Sequence, residues 1–590
     1  MSRALTQDAP ASTTPAGIAM THRQVLEALS GLLLGMFVAI LASTVVSTSL
    51  PRIISDLKGD QTAYTWVVTS TLLATTVSTP IWGKLADLFN RKLLIQLSLV
   101  VFVVGSALAG FSTNTDMLIG FRVLQGLGAG GLTALSQIIL ADIISPRERG
   151  RYMGLFGAVM GVGTVGGPLI GGLLTDSLGW RWNFYVGVPF AIIAILLLQK
   201  TLRLPKGSGR KVSIDYFGAI LIAGGVSLLL IWVSLAGQAG QFEWASWTSL
   251  IMVGIAALAL IGAVIVELNV KEPIIPMHLF KNRTFTFATI ASITVGVAMF
   301  GASIFLSQYM QLARGASPTQ SGLLTLPMVI GMLGSSIVVG QLISRFGKWK
   351  VYMVAGSVSF TAGMFLLGTV SYNTNYVLLA VFMFLLGIGV GVVMQNLVLI
   401  VQNVVSPRDM GAASASVTFF RSLGGTIGVS VMGSILGSKV VELIGDKTDA
   451  LQSAIAHLGA GGAKVAAALQ SGTIPKVSAL PESVRVIIES VYGDAVAHIF
   501  LVAAPVAVIT IIAVILIPNA KLGTKTTLER LAEEPKGPQA THPTVIEEAE
   551  ETIVEVGEAM AGSGPFTASV PVVSAPTGPA HRADTPARNR

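Results

Sequence analysis

Apolar runs of about twenty residues recur along most of the chain, separated by short turns that hold much of its charge. Wound as a helix, a run of that length crosses a hydrocarbon core of about 30 Å. About fourteen spans are predicted, at 27–50, 63–82, 93–112, 117–141, 152–175, 184–200, 215–236, 247–267, 284–312, 321–343, 350–370, 375–402, 412–437 and 496–517. The turn around which the rest is organised is Gly83-Lys84-Leu85-Ala86-Asp87-Leu88-Phe89-Asn90-Arg91-Lys92. Gly83 lets a helix end pack closely on a neighbour. Asp87 suits a helix N-terminus and a cation as partners. Asn90 is the best non-glycine candidate there for a left-handed turn. Arg91 and Lys92 mark a cytoplasmic face.

A related turn returns as Gly340-Gln341-Leu342-Ile343-Ser344-Arg345-Phe346-Gly347-Lys348. A better repeat follows each copy. Gly126-Leu127-Gly128-Ala129-Gly130, leading to Ser145-Pro146-Arg147-Glu148-Arg149-Gly150, matches Gly387-Ile388-Gly389-Val390-Gly391, leading to Ser406-Pro407-Arg408-Asp409-Met410-Gly411. The register holds throughout, so two homologous membrane halves are expected.

Composition narrows the class. Hydrophobic residues are 52% and charged residues 12% of the 590, and a soluble chain carries about twice that charge. The protein reads as an all-α polytopic membrane protein. The absence of cysteine excludes disulfides and thiolate metal sites. The net charge of +8 sits in short loops between apolar runs, which points to membrane orientation rather than nucleic acid. Alternate loops are cation-rich, so both termini are expected in the cytoplasm. Residues 1–24 read as a disordered tail rather than a cleavable signal, and 519–590, with Glu547-Glu548-Ala549-Glu550-Glu551, as a second one. Outer loop 439–494 carries a helix start at Pro481-Glu482.

Gly154, Gly163, Gly167, Pro168, Gly171 and Gly172 share one span, with much of the glycine on one helical stripe. Such a stripe admits a second helix at close range. Pro168 among the glycines points to a hinge beyond ordinary packing.

These motifs, in this order, resemble the major facilitator superfamily, in its fourteen-span drug:proton antiporter branch. Gly83 to Lys92 resembles the first-loop motif of that family. Leu118 to Gly131, with Arg122, Gln125 and Gly126, resembles its fourth-helix motif, and Gly154 to Gly172 its exporter motif. Trp180-Arg181-Trp182-Asn183-Phe184 and Phe420-Arg421-Ser422-Leu423-Gly424-Gly425 are similar to this branch as well. The resemblance covers about 25–518. It implies six-helix bundles at 25–200 and 284–518, joined by a linker at 201–283 that carries two extra central helices. It also implies a charge relay of Asp87, Arg91 and Asp142, with Gly83 and Asn90, that latches the outward-open state. In the second copy Ser344 replaces the acid, so a one-sided latch is expected.

Arg122 falls about 9 Å inside its span, where a charge needs a cavity or a partner. The family pairs that depth with a first-helix acid; here the position is Ala42. No acid then lies deep in any span, and three routes to coupling stay open. Asp142 carries the proton, the substrate carries the charge with unpaired Arg122 favouring an anion or zwitterion, or coupling is weak or uses another ion. With Arg122, the candidate cavity or coupling residues are Gln125, Gln308, Gln311, Gln395, Asn396 and Arg421; for Gln308, Gln311, Gln395 and Asn396 interhelical hydrogen bonding is an equal explanation.

The expected function is a secondary active exporter of amphipathic small molecules, proton-driven, in the inner (plasma) membrane. Export or flipping of an endogenous lipid or metabolite is the alternative, and a non-transporting receptor on a transporter fold a further one. No Gly-x-x-x-x-Gly-Lys-Ser/Thr supports an ATPase, and no residue constellation supports an enzyme. The expected partners are substrate, protons and lipid; no cofactor, metal or nucleic acid is expected, and the chain is expected to be a monomer.

Overall fold

The computed structural model describes residues 22–58, 61–202, 215–237, 242–458, 480–527 and 529–530. Residues 1–21 of the first tail, the acidic run near Glu547 and the linker cations Arg203, Lys206, Arg210 and Lys211 lie outside them. The described chain is helical, without a strand. The helices are α1 (His22–Asp56), α2 (Gln61–Leu88), α3 (Arg91–Gly110), α4 (Thr115–Ile143), α5 (Pro146–Ser177), α6 (Trp182–Tyr185), α7 (Gly187–Thr201), α8 (Tyr216–Leu235) and α9 (Trp247–Asn269). They continue as α10 (Arg283–Leu312), α11 (Pro318–Leu324), α12 (Leu326–Phe346), α13 (Lys350–Leu367), α14 (Tyr376–Val404), α15 (Met410–Asp446), α16 (Thr448–Ala456) and α17 (Glu482–Leu516).

Among the described residues, 13 segments are long and apolar enough to cross a membrane. The fourteenth expected span, α2, is 28 residues long but rich in threonine and serine. Its packing explains why such a helix belongs here. Thr71, Thr75 and Ser78 donate to the carbonyls of Arg122, Gly126 and Leu127 on α4, at 3.2–3.3 Å. The hydroxyls are satisfied on a neighbouring backbone and face no lipid.

Helices α1 to α7 pack among themselves, as do α10 to α17, each group around its own apolar core. The pair α8–α9 lies against α2 and α15 through α8. The repeat read from the glycines is present as packing. Gly126 and Gly130 lie against α2, and Gly128 against Phe102 of α3. Their equivalents Gly387 and Gly391 lie against α12, and Gly389 against Phe360 of α13. Ser78 donates to the carbonyl of Leu127, and Ser335, at the matching position of α12, to that of Ile388, at 3.3 and 3.1 Å.

Three boundaries differ from the sequence reading. Helix α1 already begins at His22. Within the described part of 439–494, α15 runs on to Asp446 rather than ending near 437, while α17 starts at Glu482, as Pro481-Glu482 predicts. Helix α16 packs on α17, with Ala454, Val484, Ile488 and Leu312 forming a small apolar core of their own. The tail expected to be disordered from 519 instead stays packed through Thr527, which is buried. Trp180 is buried against Phe184, whereas Trp182 and Trp247 are exposed.

Candidate functional site

The two groups meet through α2 with α15 and α5 with α12. At the C-terminal end of α2, Asp87 faces the N-terminus of α15. Its Oδ1 accepts the Gly411 N–H and its Oδ2 the Ala412 N–H, both at 2.8 Å. A carboxylate on the first turn of a helix meets free N–H groups and the positive end of the helix dipole. Charge-assisted bonds of this kind contribute about 1.5–3 kcal/mol each. Gly83 permits the approach, because a Cβ there would lie 2.9 Å from the Gly411 carbonyl oxygen and closer still to the Ala415 methyl.

Arg91 closes the cluster. Its Nη2 donates to Asp87 at 3.4 Å, its Nε to the Ala86 carbonyl at 2.8 Å, and its Nη1 to Asp142 at the end of α4. Asp142 is 2% exposed. Gly83, Asp87, Arg91 and Asp142 are thus brought together at one face.

Asn90 corrects the sequence reading. Its φ of −66° and ψ of 112° are extended, not left-handed, and its side chain accepts the N–H of Lys92 and Leu93. It caps α3, and that role requires the extended conformation. In the second copy, Ser344 contributes only its carbonyl, which accepts from Arg147 Nε at 3.4 Å. The carboxylate contact exists on one side of the pseudo-symmetry.

Arg149 joins this face, although the sequence presents it as one more loop cation. It is 0% exposed and donates to the carbonyls of Ala141 and Ile144 and to the side chain of Gln402 on α14. Gln402 in turn donates to Ser414 at 2.8 Å and to the Gln137 carbonyl at 3.3 Å, while Thr418 donates to Gln137 Oε1 at 3.2 Å. The repeat held one signal for this cross-link. Met410 occupies the place of Arg149 in the second copy, so the cation is specific to one half.

The glycine stripe divides. Thr44 Oγ1 donates to the Gly163 carbonyl at 3.0 Å, and Gly167 and Gly171 also lie against α1, within the same half. Gly157 and Gly161 of the same helix instead face Ser336, Val329 and Leu333 of α12 in the other half. Gly172 has open space around it, and the surroundings of Gly154 and Pro168 lie outside the described residues. A Cβ on Gly171 would lie 2.8 Å from the Val45 carbonyl oxygen and 3.0 Å from the Val45 Cα, backbone atoms that cannot swing aside. Gly171→Leu is therefore expected to lower stability by about 1–3 kcal/mol, read as a lower melting temperature of the purified protein. A wild-type melting temperature with transport lost would assign Gly171 to a hinge instead.

Arg122 is not unpaired as the sequence suggested. It is 3% exposed, and it donates to Gln125 Oε1 at 2.7 Å and to the Val67 carbonyl at 3.3 Å. Gln125 passes the chain on to Ser106 and thence to the Phe184 carbonyl. The remaining candidates are dispersed. Gln311 donates to Ser307, and Asn396 to the Val392 carbonyl of its own helix. Gln395 Nε2 lies 3.8 Å from Met160 Sδ of α5. The Oε1 atoms of Gln308 and Gln395 and the Nη1 of Arg421 are buried without a partner.

A multi-pass helical protein with two repeated halves, joined at one face by breakable polar contacts, has the architecture of a membrane transporter. The chain belongs to the Major Facilitator Superfamily, whose family profile matches residues 32–429. It is 37% identical to the Multidrug transporter protein MdtP of Bacillus subtilis over 419 residues, 71% of this chain and 76% of that one. It is 32% identical to Multidrug resistance protein 3 of the same organism over 523 residues, 88% of this chain and 98% of that one. The proton:xylose symporter XylE shares the fold at 14% identity, with a TM-score of 0.56 over 87% of this chain and 99% of that one. The chain is a transporter and not an enzyme.

Proposed function

We propose that the chain is a secondary active exporter that carries amphipathic small molecules, drugs among them, from the cytoplasm outward by alternating access. The carrying observation is the Asp87 carboxylate on the two N–H groups of α15, a strong contact confined to one helix end between the halves. Loop charge supports a cytoplasmic position for that face, and in this reading the latch closes the cytoplasmic side. The names of the Bacillus relatives support drug efflux. Asp142 is the carboxyl proposed to carry the coupling proton, because it sits at the latch and Ala42 stands where the family has an acid. Its protonation would remove a partner from Arg91 and loosen the contact through Asp87.

In proteoliposomes an imposed proton gradient is expected to drive transport, and Asp142→Asn to abolish that drive while passive exchange survives. Undiminished driven transport by the variant would exclude Asp142 as the carrier. A wild type indifferent to the gradient would exclude proton coupling.

The folded extension of α15, α16 and α17 favours a second reading, export of an endogenous lipid or metabolite. A drug-susceptibility panel with and without the protein separates the two.

A further inference from the structure

Arg421 lies eleven residues into α15, about 16 Å along its axis and so near the middle of a hydrocarbon core of about 30 Å. It is 4% exposed, and Nη1 is buried without a partner. Guanidinium stays charged at any working pH, and a buried unpaired cation is strongly unfavourable. Each other buried arginine at this depth or at the latch has acceptors: Arg91 has Asp87 and Asp142, Arg149 has two carbonyls and Gln402, and Arg122 has Gln125 and a carbonyl. Among the described residues, Arg421 has neither an ion pair nor a side-chain hydrogen bond.

Its neighbours on α15 face different partners, and its own carbonyl lies against Gly296 of α10. One turn earlier, Thr418 reaches Gln137 of α4 in the first half. One turn later, Gly424 and Gly425 lie against Ile293 and Phe300 of α10. On α10, Thr289 shares the stripe of Ile293, Gly296 and Phe300 that meets α15, and its buried hydroxyl is also unpartnered. An unpaired charge and an unpartnered hydroxyl thus lie buried on two helices, α15 and α10, that pack against each other.

We infer that Arg421 binds the acidic group of the transported amphipath, so that the preferred substrates are anionic or zwitterionic. This rests on the exporter reading and assigns its substrate class. A carboxylate, sulfonate or phosphate matches the two-pronged donor geometry of guanidinium, whereas a cation would be repelled.

The test uses everted membrane vesicles and a matched pair of fluorescent xanthene dyes, one with a free carboxylate and the other its methyl ester. The wild type is expected to transport the free acid about tenfold more efficiently than the ester. Arg421→Gln is expected to reduce transport of the acid by about tenfold and to leave the ester within about twofold, with Arg421→Lys intermediate. A wild type that prefers the ester, or an unchanged acid-to-ester ratio in Arg421→Gln, overturns the anion site. If Arg421→Gln does not accumulate as folded protein, the wild-type ratio and that of Arg421→Lys decide. Transport of no amphipath of any charge overturns instead the exporter reading.

Discussion

Asp87→Asn is expected to reach the membrane in normal amounts and to export at no more than about a hundredth of the wild-type rate. The change leaves the side-chain volume nearly constant, so it opens no cavity. It removes the charge from both bonds to α15 and from the pair with Arg91. It also sets an amide donor against one of two N–H donors. Losing about 3 kcal/mol from the closed latch shifts a two-state balance by roughly a hundredfold. Export assays normalised to immunodetected membrane protein measure this. Wild-type export would leave the cluster without a role in gating. Loss of the folded protein would assign Asp87 a structural role.

Gly83→Leu is expected to match that loss without altering any charge. A Cβ at this position meets the Gly411 backbone and the Ala415 methyl, so α2 and α15 must move apart. The two N–H bonds to Asp87 lengthen with them, and hydrogen bonds weaken steeply outside their normal range. The collision lies between the halves and not inside either core, so assembly should survive while closure fails. Size-exclusion chromatography and export measured on one preparation separate these effects. Normal export would mean that closure does not require this approach of α2 to α15.

The spans were legible because lipid imposes one rule on every helix that crosses it. An apolar run between charged turns marks such a crossing. The repeat was legible because glycine spacing records which neighbour comes close: Gly126 and Gly130 face one helix, Gly128 another. The acid and cation of the first loop were legible as chemistry, but not their target on α15, which is more than 300 residues away in sequence.

What stayed hidden depends on tertiary surroundings. Arg149 reads as a loop cation, and only the seating of α14 over it makes it buried. Gln137 lies in an apolar stretch that shows no sign of its bond to Thr418. Asn90 reads as a left-handed turn residue, but the free N–H groups of α3 hold it extended as a cap. The continuation of α15 to Asp446 and the short α16 are not marked by long apolar runs, so their composition gave only a weak signal.

Where the chain leaves α17 it is sewn to both halves. Ala520 and Lys521 accept from Trp349 and Asn403 on one side. On the other, Gly523 accepts the Arg147 N–H, and Thr527 donates to the Ala141 carbonyl. Any parting of the halves at this face must tear one of these seams. In a chain without cysteine, a single dye introduced at Lys525 would change surroundings each time that happens. The trailing segment therefore offers a turnover clock that can be read without touching the substrate path.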